Sequence, residues 1–310
     1  MKHNLTVILG SSCDLFYEID SYPAEGDFTH GKEALKSAGG PPLNVGCVAA
    51  SKGVSVNALD CLSSKEESTE IILDALKTHG VNTDHVFFSD ACSNGKVLIL
   101  NRKEKRTMIV IDPVRPKYEE SKELQDFLNQ SDYLYSLMHM VERSFDGYTM
   151  IEEARKHGAK MIFDGTSHYE DPKRAELLLK MADGLFINTT DYQRLKECLR
   201  KEPYEELLKN GCEFICVTDS VRGAICYTQE AVHHAEALKL EEVVDSTGAG
   251  DAFAGAFLSG RMQGRSYAEC LKLGCISGAY ACMHYGGLGG CCSMEELIEF
   301  ARLHGYDPGE

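Results

Sequence analysis

Short runs of consecutive apolar residues alternate along the whole chain with longer stretches in which apolar residues recur every three to four positions. Leu5–Leu9, Val54–Leu59, Tyr133–Ser136, Met161–Asp164, Gly184–Asn188 and Phe214–Thr218 belong to the first kind. They are too short for helices, so they predict strands. Of the second kind, Glu66–His79 sets Ile71, Ile72, Ala75 and Leu76 on one helical face and stops at Gly80; Ser144–His157 and Thr190–Arg200 predict further helices. Such alternation requires crossover connections, and therefore predicts an α/β fold in which helices flank a central, mostly parallel sheet.

Two stretches break this rhythm. Phe16–Lys36 alternates around turn signals at Pro23 and Gly26, and Val86–Ile111 reads as successive strands with no helix between them. Both predict hairpins projecting from the main sheet. With no internal repeat, low-complexity tract or linker, the chain reads as one domain over residues 1–310, with inserted β segments at about 13–38 and 86–112.

At 310 residues, 43% of them hydrophobic, the chain can bury a large core without staples. Its 32 Lys+Arg against 48 Asp+Glu give a net charge of −16, which argues against nucleic-acid or anionic-membrane partners because no basic block is present to displace counterions. The 13 Cys are odd in number and scattered, with no CxxC, so they predict reduced core thiols and not a disulfide framework or a structural zinc site. No apolar run approaches 18 residues and the N-terminal one is too short for a signal peptide, so the expected location is cytoplasmic.

The chemistry concentrates in Val243-Val244-Asp245-Ser246-Thr247-Gly248-Ala249-Gly250-Asp251-Ala252-Phe253. Glycines at 248 and 250 permit a tight turn, and the small and apolar residues after Asp251 begin a helix, so free amides converge at its positive end as an anion hole. Asp251 stands at the same terminus. It reads either as a helix cap or as a carboxylate that accepts the proton of an attacking hydroxyl while the amides hold phosphoryl charge.

The segment Asp245–Phe253 resembles the signature of ribokinase-like (PfkB-type) carbohydrate kinases, approximately DxTGAGD followed by a small residue and Phe. Further resemblances follow in the family's order. Asp14, after the first strand and Gly10, resembles its sugar-hydroxyl-binding Asp; Gly39-Gly40-Pro41-Pro42-Leu43-Asn44 resembles its Gly-Gly-x-x-x-Asn element; Val217-Thr218 through Gly223-Ala224 resembles its nucleotide-site turn. The resemblance implies a ribokinase-like fold and an ATP-dependent kinase acting on a primary hydroxyl of a neutral sugar, ketohexose or pentose, or of a nucleoside. Asp251 would be the base and Gly248, Ala249 and Gly250 the anion hole. Asp14, Gly39, Gly40 and Asn44 would bind the acceptor. Asn188, Thr218, Gly223 and Cys275 would serve the nucleotide, and Asp191 would orient Mg2+ through water. It also implies a lid made by the two hairpin segments, a homodimer built through it, and a monovalent cation such as K+ near Asp245.

Several positions depart from the family's pattern. Asn188-Thr189-Thr190-Asp191 ends in Asp where Glu is usual; Asp164-Gly165-Thr166-Ser167-His168 replaces Asp-Pro-Asn-x-Arg; Cys275 stands near where an Asn is common; and Pro41-Pro42 lacks a Lys found in some relatives. These changes motivate a second reading, a catalytically weak sugar- or nucleotide-binding regulator. A nicotinamide dehydrogenase would need a dinucleotide fingerprint that Gly286–Gly290 does not supply. Gly26–Glu33 nearly matches a P-loop, but Glu33 stands where Ser or Thr would bind magnesium. Neither Gly10–Asp14 nor Gly39–Asn44 carries a basic residue, which favours an unphosphorylated acceptor; Lys32, Lys36, Lys103, Lys105 and Arg106 read as a solvated face of the lid.

Overall fold

The computed structural model describes residues 4–8, 10–102, 105–165 and 171–306, with Lys105 described by its backbone alone. From the N-terminus run β1 (Asn4–Ile8), β2 (Ser12–Ile19), β3 (Gly31–Gly39), α1 (Pro41–Ser51), β4 (Ser55–Ser63), α2 (Ser68–Thr78), β5 (Asn82–Ser89), β6 (Gly95–Arg102) and β7 (Lys105–Ile111). The middle contains α3 (Lys122–Asn129), β8 (Tyr133–Leu137), α4 (Met138–Ser144), α5 (Thr149–Lys156), β9 (Lys160–Asp164), α6 (Pro172–Met181), β10 (Gly184–Asn188), α7 (Thr189–Leu199) and α8 (Pro203–Lys209). The chain continues through β11 (Phe214–Thr218), β12 (Ala224–Thr228), β13 (Val232–Ala235), α9 (Ala249–Met262), α10 (Tyr267–Ala281) and α11 (Met294–Leu303).

Nine strands form the large sheet in the order β13-β12-β11-β10-β9-β8-β1-β4-β5. Pairing is parallel from β11 to β5, and the β11–β12 and β12–β13 pairings are antiparallel. Each central strand buries both faces, which explains its continuous apolar run. Leu5, Val7, Ile162, Phe186 and Phe214 join one core with α1, α9 and α10, whereas Ile8, Met161, Phe163, Leu185 and Ile215 join the core on the other face. The residues divide with a period of two along each strand. Helix α9 is apolar all round because it lies inside its layer, with Ala252–Gly260 buried.

The second sheet has the order β3-β2-β6-β7. Expectation and structure differ here: Val86 lies in β5, parallel to β4 on the edge of the large sheet, so β4, α2 and β5 complete an ordinary crossover and the departure from the large sheet begins only at Gly95. The helix expected over Ser144–His157 begins only at Thr149, as α5: Ser144 is the last residue of the preceding α4, and the two are separated at Phe145–Tyr148, where Gly147 takes φ +87°. An L-residue side chain makes that conformation costly, and an α-helix cannot include it.

Candidate active site

Helix α9 begins after Gly248, which caps it at φ +74°. No other residue fits: a Cβ at Gly248 would lie 2.4 Å from the carbonyl oxygen of Gly287. The first intrahelical bond runs from Ala252 N to Gly248 O (2.8 Å), and Ala249 N already donates, weakly, to Ser246 O (3.4 Å). Among the described residues the amides of Gly248, Gly250 and Asp251 donate to no protein group. Of the three amides expected to form an anion hole, those of Gly248 and Gly250 are thus free, as is that of Asp251, whereas that of Ala249 is weakly engaged.

Asp251 meets the acceptor-side residues in space. Helix α1 starts at Pro41 after Gly40, whose φ of +108° and contact with the Gly10 carbonyl (3.0 Å from a Cβ) exclude a side chain. Proline at the first helical position costs no hydrogen bond. One turn later Asn44 Nδ2 donates to Asp251 Oδ2 (2.7 Å), while Asn44 Oδ1 is buried with no described partner. Across the same space a Cβ on Gly39 would touch the Asp14 carboxylate (2.4 Å), and Ser12 Oγ donates to Asp14 Oδ1 (3.0 Å). Asp14, Gly39, Gly40, Asn44 and Asp251 therefore converge.

Electrostatics set these carboxylates apart from ordinary ones. Desolvation, then the neighbouring Asp164 carboxylate and, more weakly, Asp14, push Asp251 up to about 8 against the Asn44 hydrogen bond. Asp251 still keeps some solvent exposure. Burial lifts Asp14 to about 6, partly offset by Ser12. A carboxylate tuned toward neutral pH beside free amides can take up a proton while the amides receive negative charge.

Asn188 and Thr218, expected to serve the nucleotide, lie at the C-terminal ends of β10 and β11, where they pair with each other. Asn188 caps α7: its Oδ1 accepts from Asp191 N (2.9 Å), and its Nδ2 donates to Asp191 Oδ2 (2.7 Å). Asp191 Oδ1 also meets Arg194 Nη1 (3.0 Å), so each oxygen of the residue expected to orient magnesium through water has a protein partner. Gly223, at φ +93°, turns the chain where a Cβ would lie 2.0 Å from Ala235 O. The adjoining cavity of 620 Å³ is lined by Thr189, Asp219, Arg222, Ala224, Ala235 and Glu236. Cys275 is buried on α10 with its Sγ 3.9 Å from Ala235 O; desolvation lifts its thiol to about 12, so it offers that neighbourhood a neutral, weak donor. Thr166, Ser167 and His168 lie outside the described residues.

Asp245, beside which the resemblance implied a monovalent cation, is partnered on both carboxylate oxygens. Its Oδ1 meets Arg106 Nη1 of β7 (2.9 Å) and accepts from Thr247 N and Oγ1, and its Oδ2 accepts from Gly286 N (3.0 Å). Burial works against ionisation, yet these donors and Arg106 outweigh it and hold Asp245 below its ordinary range. Arg106 also bonds the Thr247 hydroxyl and lines, with Phe16, Glu18, Leu35, Ile99 and Asp245, a cleft of 1160 Å³ between the small sheet and the 243–246 segment. Lys32 lines it too, so these two cations are not on a purely solvated face; Lys36 faces a separate cavity on the α2 side.

Sequence reasoning missed Asp164 and Gly287 as members of this site. Asp164 ends β9, accepts from Tyr135 Oη (3.0 Å) and acts electrostatically on Asp251; its signal was an acidic residue at the C-terminal end of a parallel strand. Gly287 packs against both Gly248 and Asn44, a use of Gly286–Gly290 invisible in a glycine count.

The description "pfkB family carbohydrate kinase" matches residues 4–291. A guanosine-inosine kinase of Exiguobacterium acetylicum is 29% identical over 251 residues, covering 77% of this chain and 81% of its own. An ATP-dependent 6-phosphofructokinase of Thermoanaerobacterium thermosaccharolyticum is 25% identical over 268 residues, covering 82% and 81%. Among solved structures, Arabidopsis thaliana ribokinase complexed with ribose and ATP superposes with a TM-score of 0.83 at 19% identity, over 97% of this chain and 99% of that one, which establishes a shared ribokinase-like fold. No helix of the described residues is long and apolar enough to cross a membrane. With the family matched over nearly its whole length, the chain belongs to the pfkB family of carbohydrate kinases and is an ATP-dependent kinase.

Proposed function

We propose that this kinase, acting in the cytoplasm, transfers the γ-phosphoryl group of ATP to a primary hydroxyl of a neutral sugar, a ketohexose or pentose, or of a nucleoside. The observation that carries this reading is the Asn44–Asp251 contact at 2.7 Å, with Asn44 Oδ1 left for an acceptor hydroxyl. A hydroxyl held there and by Asp14 lies beside the base. As its oxygen attacks the γ-phosphorus in line with the departing ADP oxygen, Asp251 takes the hydroxyl proton, and the amides of Gly250 and Asp251 hold the charge on the phosphoryl oxygens. Thr218 and Gly223 shape the nucleotide end. Asp191 would orient a magnesium ion through water, and that ion would supply neutralisation of phosphate charge; Asp191→Ala is expected to raise the magnesium requirement more than the acceptor KM, and an unchanged magnesium titration would leave Asn188–Asp191 a helix cap only.

Arg106 bears on the choice of acceptor. Its pairing with Asp245 neutralises it, which supports an uncharged acceptor over a phosphorylated one. The test is MgATP-dependent ADP release with fructose, ribose, guanosine, inosine and their monophosphates. A neutral compound is expected to lead its monophosphate at least tenfold in kcat/KM. A tenfold preference for a phosphorylated acceptor would turn the reading toward Arg106 and Lys32 as an anion site. Absence of turnover with every compound would favour the binding regulator.

The same reading includes the small sheet as a lid and as a dimer interface. Strand β7 is an unpaired edge exposing Met108, Ile109, Val110 and Ile111, a surface that a second copy would cover. Sedimentation is expected to give twice the chain mass; a monomer at micromolar concentration removes the dimer.

A further inference from the structure

Four segments connect the two sheets, and they converge on Ser11. Ser11 itself lies between β1 and β2. The β3–α1 connection turns at Gly40, where a Cβ would lie 3.0 Å from Gly10 O and 3.5 Å from Ser11 Cα. The β5–β6 connection arrives at Gly95, where a Cβ would lie 3.1 Å from Ser11 O. The last leaves β7 through Val114, which exchanges hydrogen bonds with Ser93 of the β5–β6 connection: Ser93 N to Val114 O and Val114 N to Ser93 Oγ, both 2.9 Å.

Arg115 ties these crossings together. Its Nη2 donates to Ser11 O (2.7 Å), and its Nη1 meets Asp60 Oδ1 (2.7 Å). Asp60 belongs to β4, is fully buried, and accepts from Cys61 N (2.8 Å) and Ser11 N (3.4 Å). Both backbone groups of Ser11 are thus held by one ion pair that spans the large sheet and the exit from the small one. Three residues later stands Asp14.

We infer that Arg115, acting with Asp60, is a positioning residue for acceptor binding. By pinning Ser11 it fixes where Asp14, Gly39 and Gly40 stand relative to Asn44 and Asp251. The inference rests on the proposed acceptor role of Asp14 and Asn44. A guanidinium suits the task because its rigid fork serves two acceptors in one plane, which an ammonium does not. Neither Arg115 nor Asp60 belongs to the proposed chemistry.

The experiment compares Arg115→Met, Arg115→Lys and the double variant Asp60→Asn/Arg115→Met with the unaltered chain, by hydrogen exchange and by steady-state kinetics. Arg115→Met strands a buried carboxylate and lowers Tm; the double variant removes the opposing charge as well and recovers most of it. In both, exchange is expected to rise at residues 11–15 and 38–41 and stay unchanged at 188–191 and 218–224. The KM for whichever panel compound turns over fastest rises at least tenfold, and the KM for MgATP stays within twofold. Arg115→Lys falls between. An acceptor KM within twofold in the folded double variant, an equal rise in both KM values, or exchange that rises only around residues 112–118 would overturn the inference. An unaltered chain without turnover would overturn the kinase reading instead, and the exchange pattern would still decide the place of Arg115.

Discussion

Replacing Asp251 by Asn is expected to lower kcat by about 10²–10⁴-fold, the usual cost of losing a general base, with both KM values within about threefold. The amide preserves the shape and can still bond Asn44, but it cannot take the acceptor's proton. The raised pKa adds two signatures. Because the Asp251 carboxyl titrates at about 8, kcat/KM of the unaltered enzyme should climb with pH toward a plateau above that value, and the Asn variant should lose this limb. Stability should move the other way. The folded state binds a proton that the unfolded state has lost between pH 3.8 and about 8, so Asp251 favours folding at low pH and its contribution is lost as pH rises through that window. At pH 8 and above Asp251→Asn should therefore raise Tm, and a gain of roughly 1 kcal/mol would appear as about 1.5 °C in a chain of 310 residues. Turnover within threefold of the unaltered enzyme would remove Asp251 from the chemistry, and an unchanged pH profile would separate the base from the titrating group.

The strands were legible because burial on both faces writes itself as an unbroken apolar run; β8, β9, β10 and β11 needed nothing else. Tertiary pairing was not written that way. Val86 carries the same local signal whether β5 pairs with β4 or with a hairpin partner, and only the α2 crossover assigns it. Gly147 was visible, yet its positive φ, which parts α4 from α5, was not.

The site divides similarly. Asp251 and its glycines form a contiguous pattern, but the contact with Asn44 spans 207 positions. It depends on α1 lying against α9, which they do where Gly255 leaves no room for a Cβ beside Val48 (2.7 Å). Arg106 and Asp245 are 139 positions apart, and no spacing rule links a lid strand to the loop before α9. Asp191 illustrates the converse: a match to a metal-orienting motif also satisfies the rules for a helix start, and Asn188 does cap α7 by accepting from Asp191 N.

Gly248→Ala is expected to damage the site as severely as any change outside Asp251. The residue is held at φ +74°, a conformation that costs a side-chain-bearing residue about 1–2 kcal/mol. Strain is the smaller problem. The new methyl would stand 2.4 Å from Gly287 O and 2.8 Å from Gly287 Cα, and backbone cannot rotate aside as a flexible side chain would. Either the α9 terminus withdraws, carrying the Gly250 and Asp251 amides with it, or Gly287 shifts into Asn44, whose Nδ2 lies only 2.6 Å from a Gly287 Cβ position. Both routes misplace donors from the transferring phosphoryl group, and losing one such donor commonly costs about 10²–10³-fold in kcat. The comparison is Gly250→Ala, two residues on, where a Cβ meets nothing within 4 Å. That variant should hold or gain Tm, whereas Gly248→Ala should lose both Tm and turnover. If Gly248→Ala keeps kcat within threefold while its Tm falls, the glycine serves folding alone and the amides at this helix terminus do not hold the phosphoryl charge.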